Sequence, residues 1–112
     1  MSQTVLPGTL ELLALKTISL GAEHGFGVLQ RIQMRSGGVL QIEQGALYPA
    51  LHRLEARGLV STRWGVSENR RKAKYYELTE NGRERLAKDQ DQWRSLVSAM
   101  ESLLNASAEP QT

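Results

Sequence analysis

From Thr79 to Leu104 the sequence carries a seven-residue period: Leu86, Trp93 and Met100 recur at that spacing, and Val97 and Leu104 fall four residues after the second and third of them. This is a helix with an apolar seam, weakened at Gln90 and widened by Leu96 and Leu103. Thr79 supplies an N-cap, and Gly82 at the third helical position leaves no capping box. At 1.5 Å per residue such a helix spans roughly 37 Å. A chain of 112 residues makes one domain, and the core of so small a domain cannot cover a rod of that length. The seam must find another surface, and the simplest is the same helix, or the first helix, of a second copy. Leu86, Trp93, Leu96, Val97, Met100, Leu103 and Leu104 are therefore the expected dimerisation residues.

Several classes of protein are excluded early. The absence of cysteine removes disulfides, thiolate zinc sites and cysteine nucleophiles together, and agrees with a reducing cytosol. No apolar stretch approaches 18 residues, and Met1-Ser2-Gln3-Thr4 is not a basic segment leading into an apolar one, so a soluble cytoplasmic protein is expected. An enzyme is disfavoured: His24 and His52 lie on different elements, and no phosphate-binding glycine loop, metal-ligand spacing or acid-base pair emerges. No cofactor and no metal are expected.

Upstream of the rod the pattern changes from element to element. Gly8 to Leu20 is too apolar for a surface helix and reads as a largely buried one, with Pro7 in its first turn and Gly21 at its end. Phe26, Leu29 and Ile32 recur at helical spacing, with Gln30, Arg31 and Arg35 on the other side, until Gly37-Gly38. Val39 to Ile42 is a short extended stretch. Leu47, Leu51 and Leu54 then mark a third helix, closed by Gly58 in a left-handed cap. Pro49 places the start of this helix near Gly45 or kinks it. Leu59 to Trp64 reads as a strand with Trp64 in the core, Gly65 to Lys72 as a polar connection, and Ala73 to Leu78 as the returning strand.

Helix, helix, helix, strand, polar loop, strand, helix is the order of a winged helix-turn-helix. The fold class is mainly α (α+β), with residues 1–78 as the winged helix, 79–104 as the dimerisation helix and 105–112 as a polar tail. With its leucines inward, the third helix turns Gly45, Pro49, His52 and Ala56 outward, with Tyr48 and Arg53 at the edges. Small residues allow close approach to a groove, and His52, Arg53 and the Tyr48 hydroxyl can reach base edges or phosphates. The hairpin adds charge. The formal net charge is only +2, yet residues 63–74 hold five basic groups, Arg63, Arg70, Arg71, Lys72 and Lys74, against one acidic group. Four such phosphate contacts imply a salt slope near minus four, at about 0.9 per phosphate. Two readings remain: a DNA-binding protein, or a winged helix that docks only on another protein. Trp93, central in the seam, is either a packing anchor or, paired with its symmetry mate, a stacking surface for a small planar apolar effector.

The segments His24-Gly25-Phe26-Gly27 and Gly45-Ala46-Leu47-Tyr48-Pro49-Ala50-Leu51-His52-Arg53-Leu54-Glu55-Ala56-Arg57-Gly58-Leu59-Val60 resemble the PadR family of bacterial transcriptional regulators. Tyr75-Tyr76-Glu77-Leu78-Thr79-Glu80-Asn81-Gly82 is similar to the family's passage from wing to last helix, and the resemblance covers about Leu6 to Leu104. A single C-terminal helix is similar to the short-form branch, some members of which bind drug-like compounds between tryptophans of the dimer. The resemblance implies a homodimeric repressor of a neighbouring operon that binds a pseudo-palindromic operator in double-stranded DNA. It places Gln44, Gly45, Tyr48, His52 and Arg53 on the DNA and Arg70, Arg71, Lys72 and Lys74 on the flanking backbone, to which the charge pattern of the hairpin adds Arg63. The two third helices of a dimer would address half-sites about 34 Å apart. Two positions depart from the pattern: Gly27 replaces a polar or acidic residue, and Gln44 replaces a Ser or Thr cap.

Overall fold

The computed structural model describes residues 8–108, so Pro7 and the last four residues of the expected tail lie outside it. Four helices and three strands follow in the order α1 (Thr9–Ser19), β1 (Glu23–His24), α2 (Gly25–Arg35), α3 (Gln44–Ala56), β2 (Val60–Val66), β3 (Lys72–Leu78) and α4 (Glu80–Leu104). The sheet is antiparallel in the order β1-β3-β2, with Val60 opposite Leu78 and Val66 opposite Lys72. This is the winged helix expected from the sequence.

Periodicity explains the helical core directly. Ala14, Leu15 and Ile18 of α1, Val28, Leu29 and Ile32 of α2, and Leu47, Ala50, Leu51 and Leu54 of α3 converge on one cluster, closed beneath by Val60, Tyr76 and Leu78 of the sheet. At the C-terminus of α3 the chain reverses through Gly58 at φ 72, a conformation that only glycine adopts without penalty. Thr79 caps α4 by accepting a hydrogen bond from the Gly82 N–H at 3.0 Å, while its hydroxyl donates to the Gly58 carbonyl at 2.7 Å. Gly82 is a packing requirement. A Cβ there would collide with the Leu59 carbonyl, so the first turn of α4 sits directly on the backbone that enters the wing.

Several expectations are corrected. The connection before α2 contains β1, whose Glu23 and His24 pair with Tyr76 and Tyr75; two residues are too few for an alternation to be visible. Phe26 is 47% exposed, because Val28, Leu29 and Ile32 already complete the buried face of α2. Trp64 is not in the core either, at 63% exposed. It shares a face of β2 with buried Val60, but Trp64 and Val66 project beyond the helices that cover Val60. The strands also run further than expected, through Gly65 and Val66 on one side and from Lys72 on the other, so the connection shortens to residues 67–71.

Leu86 leaves the seam. It is 7% exposed and belongs to the core of its own subunit, because the first turns of α4 lie against α1 and β3. Beyond it, every residue from Asp91 to Ala108 is exposed. The Cα radius of gyration is 17.1 Å, against about 13 Å for a compact chain of this length. The excess is the free half of the rod.

Candidate nucleic-acid interface

Because Leu47, Ala50, Leu51 and Leu54 are completely buried, the rotation of α3 about its axis is fixed and its two flanks have different neighbours. One flank faces α1. There Arg53 Nε donates to Glu11 Oε1 at 2.8 Å and Arg57 Nη1 to Glu11 Oε2 at 3.2 Å, so Arg53, expected on DNA, is half-exposed and paired with the first helix. The other flank faces the wing and carries Tyr48 and Glu55, seven residues and two turns apart. Tyr48 lies over Gly25, where a Cβ would strike its ring, so the start of α2 is shaped to receive it. Gln44, Gly45 and His52 are exposed on the outward side of α3.

The helix begins at Gln44 after Glu43, whose side chain provides no cap. The cap position is thus Glu43 and not Gln44 as the resemblance implied, and the α3 N-terminus has no side-chain cap. Pro49 falls in the second turn, where only the Gly45 carbonyl loses a helical donor. At Gly27 the other departure has a local reason. His24 Nδ1 accepts from the Gly27 N–H at 3.0 Å as the cap of α2, and a Cβ on Gly27 would collide with the Glu23 carboxylate, itself paired with Arg31 Nη2 at 2.9 Å.

The wing turns through Glu68, Asn69 and Arg70. The Arg70 N–H donates to the Ser67 carbonyl and the Ser67 N–H to the Arg71 carbonyl, both at 2.9 Å, and Arg70 sits at φ 58. This is a three-residue hairpin loop whose left-handed position, usually glycine, is occupied by arginine. The cations then separate by sheet face. Lys72 and Lys74 lie on the side shared with Trp64, and the Lys72 ammonium stands 5.1 Å from the centre of the Trp64 ring. Arg63 lies on the opposite side, 5.3 Å from the Tyr75 ring centre, so it does not join Lys72 and Lys74.

Between the Tyr48 flank of α3, the start of α2 and the wing runs a cleft of about 580 Å³. Tyr48, Arg71, Lys72 and Lys74 line it, as do side chains that sequence reasoning did not select, among them His24, Phe26, Gln30, Glu68 and Asn69. Phe26 carried no signal for this place, since its spacing with Leu29 and Ile32 placed it on the apolar face of α2. Lys74 is the cation of this group that has an acidic partner. Its ammonium donates to Glu55 Oε1 at 3.0 Å, and the Thr62 hydroxyl donates to Glu55 Oε2 at the same distance. These two hydrogen bonds hold the Glu55 carboxyl below its usual range, and the bond to Glu55 raises Lys74. Burial raises Tyr76 behind them.

Geometrically this is a winged helix with a cationic hairpin beside a helix that presents small and polar residues to the outside, a class shared by many transcription regulators. A family model described as the transcriptional regulator PadR-like family matches residues 14–88. The chain belongs to that family, whose members are transcriptional regulators and not enzymes. Its fold is similar to a crystal structure from Streptococcus mutans with a TM-score of 0.83 at 25% identity, covering 99% of this chain and all of that one. A PadR family regulator from Eggerthella lenta gives 0.76 at 28% identity over 89% of this chain and 85% of its own. A PadR-like regulator from Bacillus cereus gives 0.77 at 25% identity, with 89% and 95% covered. An uncharacterised protein of Lysinibacillus sphaericus is 27% identical over 89 residues, 80% of this chain and 82% of that one. Among the described residues no helix is long and apolar enough to cross a membrane.

Proposed function

We propose that this regulator is a cytoplasmic homodimeric repressor that binds a pseudo-palindromic operator near the genes it controls. The third helix enters the major groove with Gln44, Gly45, Tyr48 and His52 foremost. Arg70, Arg71 and Lys72 hold the flanking backbone from the wing, joined by Arg63 from the opposite face. The observation that carries this reading is the cleft that sets the Tyr48 flank of α3 against the cationic face of the wing. Phosphate contacts made from both walls would fix the register of the helix on the duplex, and the outward face of the helix would then read bases.

Dimerisation is supported by the exposed apolar face of α4. Trp93, Leu96, Val97, Met100, Leu103 and Leu104 are each 38% to 77% exposed along one side of the rod, which is the surface a second copy would cover. Trp93 and Leu96 also border a cleft of about 410 Å³ against Leu12 of α1. A planar apolar effector stacked on Trp93 there would sit where the two subunits meet, and so could change the spacing of the two third helices.

Fluorescence anisotropy with a palindromic promoter fragment tests the regulator reading. Binding should exceed that of random-sequence duplex at physiological salt and weaken steeply with ionic strength, with a slope near minus four per subunit if four wing phosphate contacts form. Equal affinity for both duplexes, or binding indifferent to salt, would favour a module for protein partners. Quenching of tryptophan emission by planar aromatic compounds, compared with Trp93→Ala, tests the effector site; unchanged quenching in the variant would reject it.

A further inference from the structure

The two lysines of the wing are not equivalent. Arg70, Arg71 and Lys72 have no carboxylate partner among the described residues, whereas Lys74 is bound to Glu55. We propose that Glu55 is a positioning residue that ties the groove-reading helix to both strands of the wing and, in doing so, withholds the Lys74 charge from the nucleic acid. This inference rests on the DNA-binding reading above.

The geometry is specific. Glu55 lies in the last turn of α3, on the flank that carries Tyr48. One carboxylate oxygen takes the Thr62 hydroxyl from β2 and the other takes the Lys74 ammonium from β3. Thr62 pairs with Tyr76 and Trp64 with Lys74, so the two donors sit on neighbouring rungs of the same sheet face. A two-stranded hairpin that projects past its helices can twist about its own axis. A carboxylate bonded to both strands opposes that twist at the point where the wing leaves the core. The side chains of Lys74 and Glu55 are only 29% and 34% exposed, so the pair is partly shielded from solvent. Lys74 lines the cleft all the same, and its ammonium stands 5.7 Å from the Tyr76 ring centre, so a freed Lys74 would enter the space where the duplex backbone would lie.

Glu55→Gln separates these effects, because the amide can still accept from Thr62 while it no longer neutralises Lys74. The expected result is a salt slope steeper by about 0.9 per subunit, with tighter binding to random duplex and a smaller ratio of operator to random affinity. Lys74→Met should leave the slope unchanged in the wild type and remove the added slope in the Glu55→Gln background, a non-additive cycle. A domain that is merely damaged would lose affinity and slope together, so steepening is the diagnostic direction. In the unaltered protein, lysine acylation footprinting gives an independent reading: the duplex should protect Lys72, whereas Lys74 should react slowly with or without duplex. A folded Glu55→Gln variant with the wild-type slope, or equal duplex protection of Lys72 and Lys74, would overturn the masking role while leaving DNA binding intact. Wild-type binding that ignores salt would overturn the regulator reading first, and this one with it.

Discussion

The two ends of this molecule solve the burial problem in opposite ways. In the head, three helices and the sheet bury leucines completely, and even the first turns of α4 are consumed, with Leu86 closing the core. Past Asp91 the same helix continues with the same apolar spacing and no residue buried. The head is thus a finished domain and the rod an unfinished one. Similar sequence periodicity supports folding in the first case and, as proposed, assembly in the second.

Mutations can break that contrast from either side. The largest effect is expected in the head: Leu51→Ala, at a fully buried position, should destabilise by about 2–5 kcal/mol and be seen as an early thermal unfolding transition. On the rod, Leu103→Ser removes a side chain that is 77% exposed in the subunit. It should leave subunit stability within about 0.5 kcal/mol, yet weaken the proposed dimer by roughly 2 kcal/mol over two symmetric copies, read by sedimentation equilibrium. If Leu103→Ser unfolds the subunit, the rod is not the independent element described here.

The wing provides smaller tests. Arg70 in the left-handed region carries local strain that glycine would relieve, partly offset by the greater freedom of glycine in the unfolded chain. Arg70→Gly should therefore raise stability by about 0.5 kcal/mol in urea denaturation. It should also flatten the salt slope of DNA binding by about 0.9 per subunit. The smallest effect concerns pH. Because Glu55 is held below its usual value of 4.5, its tie contributes fully above that value and is lost as pH falls through the lowered one. Lys74, raised above 10.5, contributes fully below that value and loses its share as pH rises through the raised one. The stability difference between wild type and Glu55→Gln should hence be flat through neutral pH and shrink in acid; a difference that grows in acid would contradict the assignment.

How much of the site was legible depends on the range of the interaction. Leu47, Leu51 and Leu54 named the buried face of α3 correctly, and Tyr48 and His52 followed by rotation. The basic cluster of the wing was visible as a local excess of charge, but its division was not: Arg63 turns to one sheet face and Lys72 to the other through a register set by Tyr75 and Val66. Phe26 and Trp64 read as core residues because apolar spacing shows which side of an element is greasy, and not whether a neighbour reaches that far along it.

The sequence by itself determined the order of the elements other than β1, the inward face of α3, the Thr79 cap and the glycine reversal after α3, since these depend on contacts between residues within a turn or two of one another. Tertiary structure alone decided which charges remain free. Arg53 meets Glu11 across 42 positions, and Lys74 meets Glu55 across 19. Such pairings depend on how helices cross and how far a hairpin projects, distances that no local repeat encodes. The same packing withdrew Leu86 from the seam and left the other seam residues exposed.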